Sequence, residues 1–149
     1  MYLKLMPGYQ KIPVGATDGK LTFLSSKFFT GRVYGQTLSS PSMRPTLATH
    51  FAIYELVKDG TFQQIFDSPG ELGSFEWEES QVVEIVQKPE NRRRLNNRGL
   101  GTFFRIKGGG VVCIGVDGDF CDAHVEPLTF PLTMLVKDGP IRFALPSIV

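Results

Sequence analysis

Side chains able to act as ligands, bases or nucleophiles gather in three stretches of this chain. The first is acidic, with Asp117, Asp119, Cys121, Asp122 and His124 close together. A calcium loop of the helix-loop-helix kind needs oxygen ligands at alternate positions, glycine at the sixth and glutamate at the twelfth. Counted from Asp117, those places hold Asp122 and Leu128. Structural zinc asks for four well-spaced nitrogen or sulfur donors. The whole chain offers Cys113, Cys121, His50 and His124, with no C-x-x-C. A solvated acidic turn is the better reading, and no metal or cofactor is expected. The second stretch is basic: Lys88, Arg92, Arg93, Arg94 and Arg98 stand against the single acid Glu90. Planar guanidinium forks hold carboxylate or phosphate through paired hydrogen bonds, and Phe103 and Phe104 lie where stacking platforms for a single strand would be wanted. Gly108-Gly109-Gly110 lacks the Lys-Ser/Thr that completes a phosphate loop and reads as a hairpin turn.

The third stretch is Ser40-Pro41-Ser42-Met43-Arg44-Pro45-Thr46-Leu47. It resembles the nucleophile box of the type I signal peptidases, which are largely β. The resemblance implies Ser42 as nucleophile, Ser40 near the oxyanion site and a lysine on a later strand as base, since burial lowers an amine's pKa toward neutrality. The likeness is confined to this box. Lys88 precedes a proline and Lys107 precedes three glycines, so neither continues the family's lysine-bearing strand.

The elements that must position these residues read as strands. TFFRIK, the glycine turn and VVCIGV form one hairpin, and VVEIVQ before the basic stretch reads as a further strand, so that residues 88–101 become a long arginine-rich loop. HFAIYELV, the turn Lys58-Asp59-Gly60 and TFQQIF give a second hairpin with an Asp-Gly signal. YLKLM, LTFL, GRVYGQTL, LTFPLTMLV and PIRFAL complete roughly nine to eleven short strands. SPGELGSFEWEESQ reads as a loop or edge segment, and VDGDFCDAHVEP as another loop. PENRRRL and GELGSFEWEES each have room for one helical turn. LVKDG occurs at Leu56–Gly60 and again at Leu135–Gly139, but five residues around a common turn do not establish a repeat. The expected fold is mostly β: a single-domain antiparallel β-sandwich or barrel-like fold over residues 1–149, with long loops, little helix and extended terminal arms.

Composition narrows the function classes. The chain has 149 residues and a net charge of +1, which disfavours a generally basic nucleic-acid binder. Two cysteines are too few for a secreted disulfide framework. No apolar run is long enough for a bilayer-spanning helix, and MYLKLMPGYQKIPVG lacks the pattern of a secretory signal. Charge is segregated along the chain. Met1 to Lys58 carries seven Lys or Arg against two acids, Asp59 to Glu84 seven acids and no Lys or Arg, and Lys88 to Lys107 seven basic residues against Glu90. Blocks of opposite sign allow one face to meet a complementary face of a neighbouring subunit. The expectation is therefore a non-enzymatic structural protein of a large assembly, a bacteriophage-type virion component. A capsid cement or decoration protein comes first and a head-completion or tail protein second, located in the virion or otherwise in the cytoplasm. Its partners would be other protein subunits, including the major capsid protein and further copies of itself. The expected interface comprises Arg92, Arg93, Arg94 and Arg98 together with Phe75, Glu76, Trp77, Glu78 and Glu79, an aromatic anchor in an acidic patch. A hydrolase built on Ser42 and a nucleic-acid-binding barrel using the arginine loop are the rival expectations.

Overall fold

The computed structural model of the chain describes residues 2–23, 33–35, 44–67, 76–96, 101–107, 110–118, 120–127, 131–132 and 141–147. In chain order the elements are β1 (Leu3–Leu5), β2 (Ile12–Val14), β3 (Val33–Gly35), β4 (Thr49–Leu56), β5 (Gly60–Thr61), α1 (Phe62–Phe66), α2 (Glu79–Gln87), α3 (Pro89–Leu95), β6 (Thr102–Ile106), β7 (Gly110–Asp117), β8 (Phe120–Pro127), β9 (Pro131–Leu132) and β10 (Arg142–Pro146). The protein is mostly β with three short helices, in keeping with the expected β-rich, sandwich or barrel-like class.

The main sheet runs β1-β4-β10-β6-β7-β8-β3, with β2 beside the outer edge of β4, and β5 pairs with β9 separately. Pairing is antiparallel except between β10 and β6 and between β3 and β8. Side chains alternate across the sheet, so each strand feeds two sides. Phe51 and Ile53 of β4, Phe104 and Ile106 of β6, Val112 and Ile114 of β7, Cys121, Ala123 and Val125 of β8 and Ala144 of β10 join one core. Val82, Val83, Ile85 and Val86 of α2 and Leu95 of α3 cover that side. On the other side Leu56, Val111, Phe143 and Leu145 meet Phe62, Ile65 and Phe66 from α1. Phe62 stands 5.0 Å from Phe103, and Phe143 lies 5.4 Å from Phe103 and 5.6 Å from Phe66, centroid to centroid. Edge-on and tilted rings at such spacing stabilise beyond the area they bury.

Four segments differ from the sequence reading. VVEIVQ is the body of α2, not a strand. Its apolar residues at 82, 83, 85 and 86 make one broad helical face, and the Glu78 and Gln81 side chains complete a reciprocal capping box at its start. PENRRRL is α3 rather than loop, opened by Pro89 at a position where its missing N–H costs nothing. TFQQIF is not the return strand of a hairpin. Thr61 accepts from the Gln64 N–H and the Gln64 side chain accepts from the Thr61 N–H, so the chain leaves the turn as a helix. VDGDFCDAHVEP holds a tight turn at Gly118, where φ is +61°, and then strand β8.

The remaining strand readings fall partly outside the described residues. YLKLM, HFAIYELV, TFFRIK with VVCIGV, and PIRFAL supply β1, β4, β6 with β7, and β10. Of GRVYGQTL only Val33–Gly35 is described, and of LTFPLTMLV only Pro131–Leu132. Leu21–Phe23 lies outside any strand, though Phe23 is buried. The second LVKDG lies outside the described residues, as do residues 36–43, 68–75 and 97–100. Among the described residues no helix is long and apolar enough to cross a membrane.

Candidate functional site

Helix α3 is positioned by its own polar residues. Asn91 Nδ2 donates to the Ile85 carbonyl at 3.0 Å, and Arg92 Nη1 donates to the carbonyls of Val86 at 2.7 Å and Gln87 at 3.1 Å. These carbonyls lie in the last turn of α2, where intrahelical donors run out; Ile85 also accepts the Lys88 N–H at 3.5 Å, and a guanidinium there meets the negative end of the helix dipole. Asn91 and Arg92 are buried. Arg94 Nη1 donates to Asn91 Oδ1 at 2.7 Å, and the Thr102 hydroxyl donates to the Leu95 carbonyl. Arg92, expected in an interface, therefore serves the fold. Arg93 is exposed, as is Glu90 one turn before it, and Arg94 and Lys88 are half-buried. Arg98 lies outside the described residues.

Trp77 and Glu78 of the FEWEE stretch also turn inward. Trp77 is 1% exposed, with its indole N–H on the Ala144 carbonyl at 3.0 Å. Its backbone bonds to Arg105 and Lys107 along β6, where β10 no longer pairs with that strand. It is a core wedge between β6 and β10, not an aromatic anchor for a partner. Glu78 is buried and meets Lys107 Nζ at 2.8 Å. Glu79 Oε2 accepts the Phe23 N–H at 2.7 Å, and burial raises its pKa above the ordinary 4.5 although that hydrogen bond pulls the other way. Glu76 is half-buried, and Phe75 lies outside the described residues.

Ser40 and Ser42 also lie outside the described residues, and the rest of their box is placed by a hydroxyl chain. The Thr46 hydroxyl meets that of Thr17 at 2.7 Å, and Thr17 meets Ser80 at 2.9 Å, linking the box to the first turn of α2. Leu47 is 87% exposed. Among the described strands the only lysine is Lys4, exposed on β1 and paired in register with Glu55.

Register brings together residues that sequence spacing did not. Leu5, Tyr54, Phe143, Phe103, Cys113, His124 and Tyr34 are successive partners in one row across seven strands. The β8 end of that row is polar. His124 Nε2 pairs with Glu126 Oε1, Cys113 stands opposite His124, and Asp122 lies over Gly115. A thiol beside an imidazole that is itself held by a carboxylate has the connectivity of a nucleophile–base–orienter set. Its electrostatics run the other way: burial first, then Asp122 and Glu126, push the Cys113 thiol up to about 12, so it is protonated at neutral pH. Cys121 is raised to about 11 by burial, against the lowering influence of Arg92. It faces the α2 side of the sheet, so the two thiols point to opposite faces and do not form a disulfide with each other. Among the described residues no three of His, Cys, Asp and Glu gather in a way that would hold a metal ion. The signal for this polar face was the period-two run Asp122, His124, Glu126 between Cys121, Ala123 and Val125.

Two charged surfaces result. Helix α3 points Arg93 away from the sheet on one side, with Lys88 and Arg94 beside it. Strand β8 points Asp122, His124 and Glu126 away on the other side, opposite to its core residues. Comparison with protein-family models, with curated proteins and with solved structures finds no match to this chain.

Proposed function

We propose that this chain is a non-enzymatic structural subunit of a large assembly, most concretely a bacteriophage-type virion component of the cement or decoration kind, with a head-completion or tail role second. The observation that carries the reading is the separation of charge onto opposite faces of one sheet, cations on α3 and carboxylates on β8. Two such faces on a chain of net charge +1 suit contact with neighbouring subunits, because complementary potentials steer and align the partners while a near-neutral whole does not repel them. The thiol–imidazole row agrees with this, since a thiol held protonated is a poor nucleophile. Mass photometry or analytical ultracentrifugation of material from its native source tests the reading. Co-migration with a particle or with other structural subunits is expected; a strict monomer bound to nothing overturns it.

A further inference from the structure

We infer that copies of this chain bind one another head to tail, the outer face of α3 on one copy seating on the outward face of β8 on the next. The inference rests on the assembly reading above and names the contact. Asn91, Arg92 and Leu95 of α3 are buried toward the sheet, and Glu90 and Arg93 are exposed. On β8, Cys121, Ala123 and Val125 are buried against the α2 side, so alternation directs Asp122, His124 and Glu126 to the far side. The two charged surfaces therefore look in opposite directions through the thickness of one molecule. They cannot neutralise each other within a chain, whereas translation of a second copy along the sheet normal brings them face to face.

Lys88, Arg93 and Arg94 present three cations against Glu90, and Asp122 and Glu126 present two carboxylates around His124. Arg93, exposed to solvent, is the group free to make a bidentate bond to a carboxylate, the geometry that arginine supports and lysine does not. A contact between two different patches is heterologous, so it leaves one unused patch at each end and extends into rings or open columns rather than stopping at a dimer. Repetition is what a subunit of a large particle needs.

Sedimentation velocity of the full chain, over a concentration series at about 50 mM and about 500 mM salt, tests the contact. Species larger than a dimer are expected at low salt and should recede at high salt. Arg93→Glu and Asp122→Lys should each weaken association by at least about tenfold, and the two changes together in one chain should restore it by exchanging the signs. An equimolar mixture of the two single variants should again form species larger than a dimer, although neither does so alone, since the junction of unchanged Arg93 with unchanged Asp122 then alternates with a junction of the two sign-exchanged positions. Because Asp122 packs over Gly115, the near-isosteric Asp122→Asn is run beside the lysine variant, with circular dichroism as the check on folding. Self-association indifferent to all these changes overturns the head-to-tail contact and leaves the assembly reading standing. A monomer at every concentration that joins other structural subunits does the same. A monomer that binds neither itself nor any subunit overturns both. Salt-sensitive binding of a single-stranded oligonucleotide through Arg93, without self-association, assigns that face to nucleic acid and also overturns the contact.

Discussion

Arg92 and Arg93 are adjacent and identical in type, and the structure gives them opposite work. Arg92 holds two carbonyls at the end of α2 from a buried position. Arg92→Ala leaves those carbonyls unsatisfied and should lower unfolding free energy by about 2–3 kcal/mol, read from urea denaturation. Arg93→Ala, at an exposed position, should stay within about 0.5 kcal/mol of the parent. Equal losses at both positions would contradict the assignment. Sequence alone could not separate the two, because a run of arginines in a presumed loop looks uniformly solvated. Only helical phase, one residue inward and the next outward, tells them apart. Glu79 carries the opposite kind of information. Its pKa lies above the ordinary 4.5 in the folded state because burial outweighs the Phe23 hydrogen bond. A raised folded pKa means that the protonated form favours folding. That stability is full below 4.5 and is lost as pH rises through the folded value. Glu79→Gln removes the charge and keeps an acceptor for Phe23, so its melting temperature should exceed the parent's at pH 7, with the gap closing as pH falls toward 4.5. A gap that widens in acid would reverse the sign.

At the scale of elements, legibility depended on whether one periodicity stood alone. The hairpin of β6 and β7 and the strand β4 were readable because alternation, β-branched content and turn residues agreed. Helix α2 was not, because four apolar residues in a five-residue window satisfy a buried strand and a wide helical face equally, and its cap is a glutamate rather than the usual serine or threonine. Helix α1 did carry a readable signal in Thr61-x-x-Gln64, but the preceding Asp-Gly turn pointed to a hairpin. Strand β8 alternated plainly, yet its acidic residues suggested loop. Such polar residues in a strand mark a face left half-open, and that is where the candidate contact lies. The loop entering β6 makes a sharper demand. Gly101 has φ +79°, and a Cβ there would stand 2.6 Å from Cys113 Sγ and 3.0 Å from the Ile114 carbonyl oxygen. Gly101→Ala should therefore destabilise by about 1–3 kcal/mol. Pairing it with Cys113→Ala should recover only the part due to sulfur, because the backbone strain and the carbonyl remain. Full recovery in a double-mutant cycle would show that crowding alone was at fault.

Across the whole molecule, one sheet serves two cores, and β10 joins them. Phe143 packs with Phe62, Phe66 and Phe103 on the α1 side. The next residue, Ala144, faces the α2 side and accepts the Trp77 indole N–H. The two layers therefore share a strand whose position neither can give up alone, and the chain should unfold as one cooperative unit despite having a separate aromatic cluster on each side. Trp77 is the only tryptophan, so its fluorescence reports the α2 side specifically, while far-ultraviolet circular dichroism reports the whole. Phe143→Ala removes a fully buried ring on the opposite side and should cost about 3–5 kcal/mol. If the cores are coupled through β10, the fluorescence midpoint in denaturant falls by the same amount as the circular dichroism midpoint, and the two transitions still superimpose. A fluorescence transition left at its original position, with an earlier circular dichroism phase, would show the α1 layer unfolding separately. Coupling of this kind bears on assembly as well. In the proposed head-to-tail contact a copy held on both faces would pass load through its sheet, and the strand shared by the two cores would let the α3 face and the β8 face resist together.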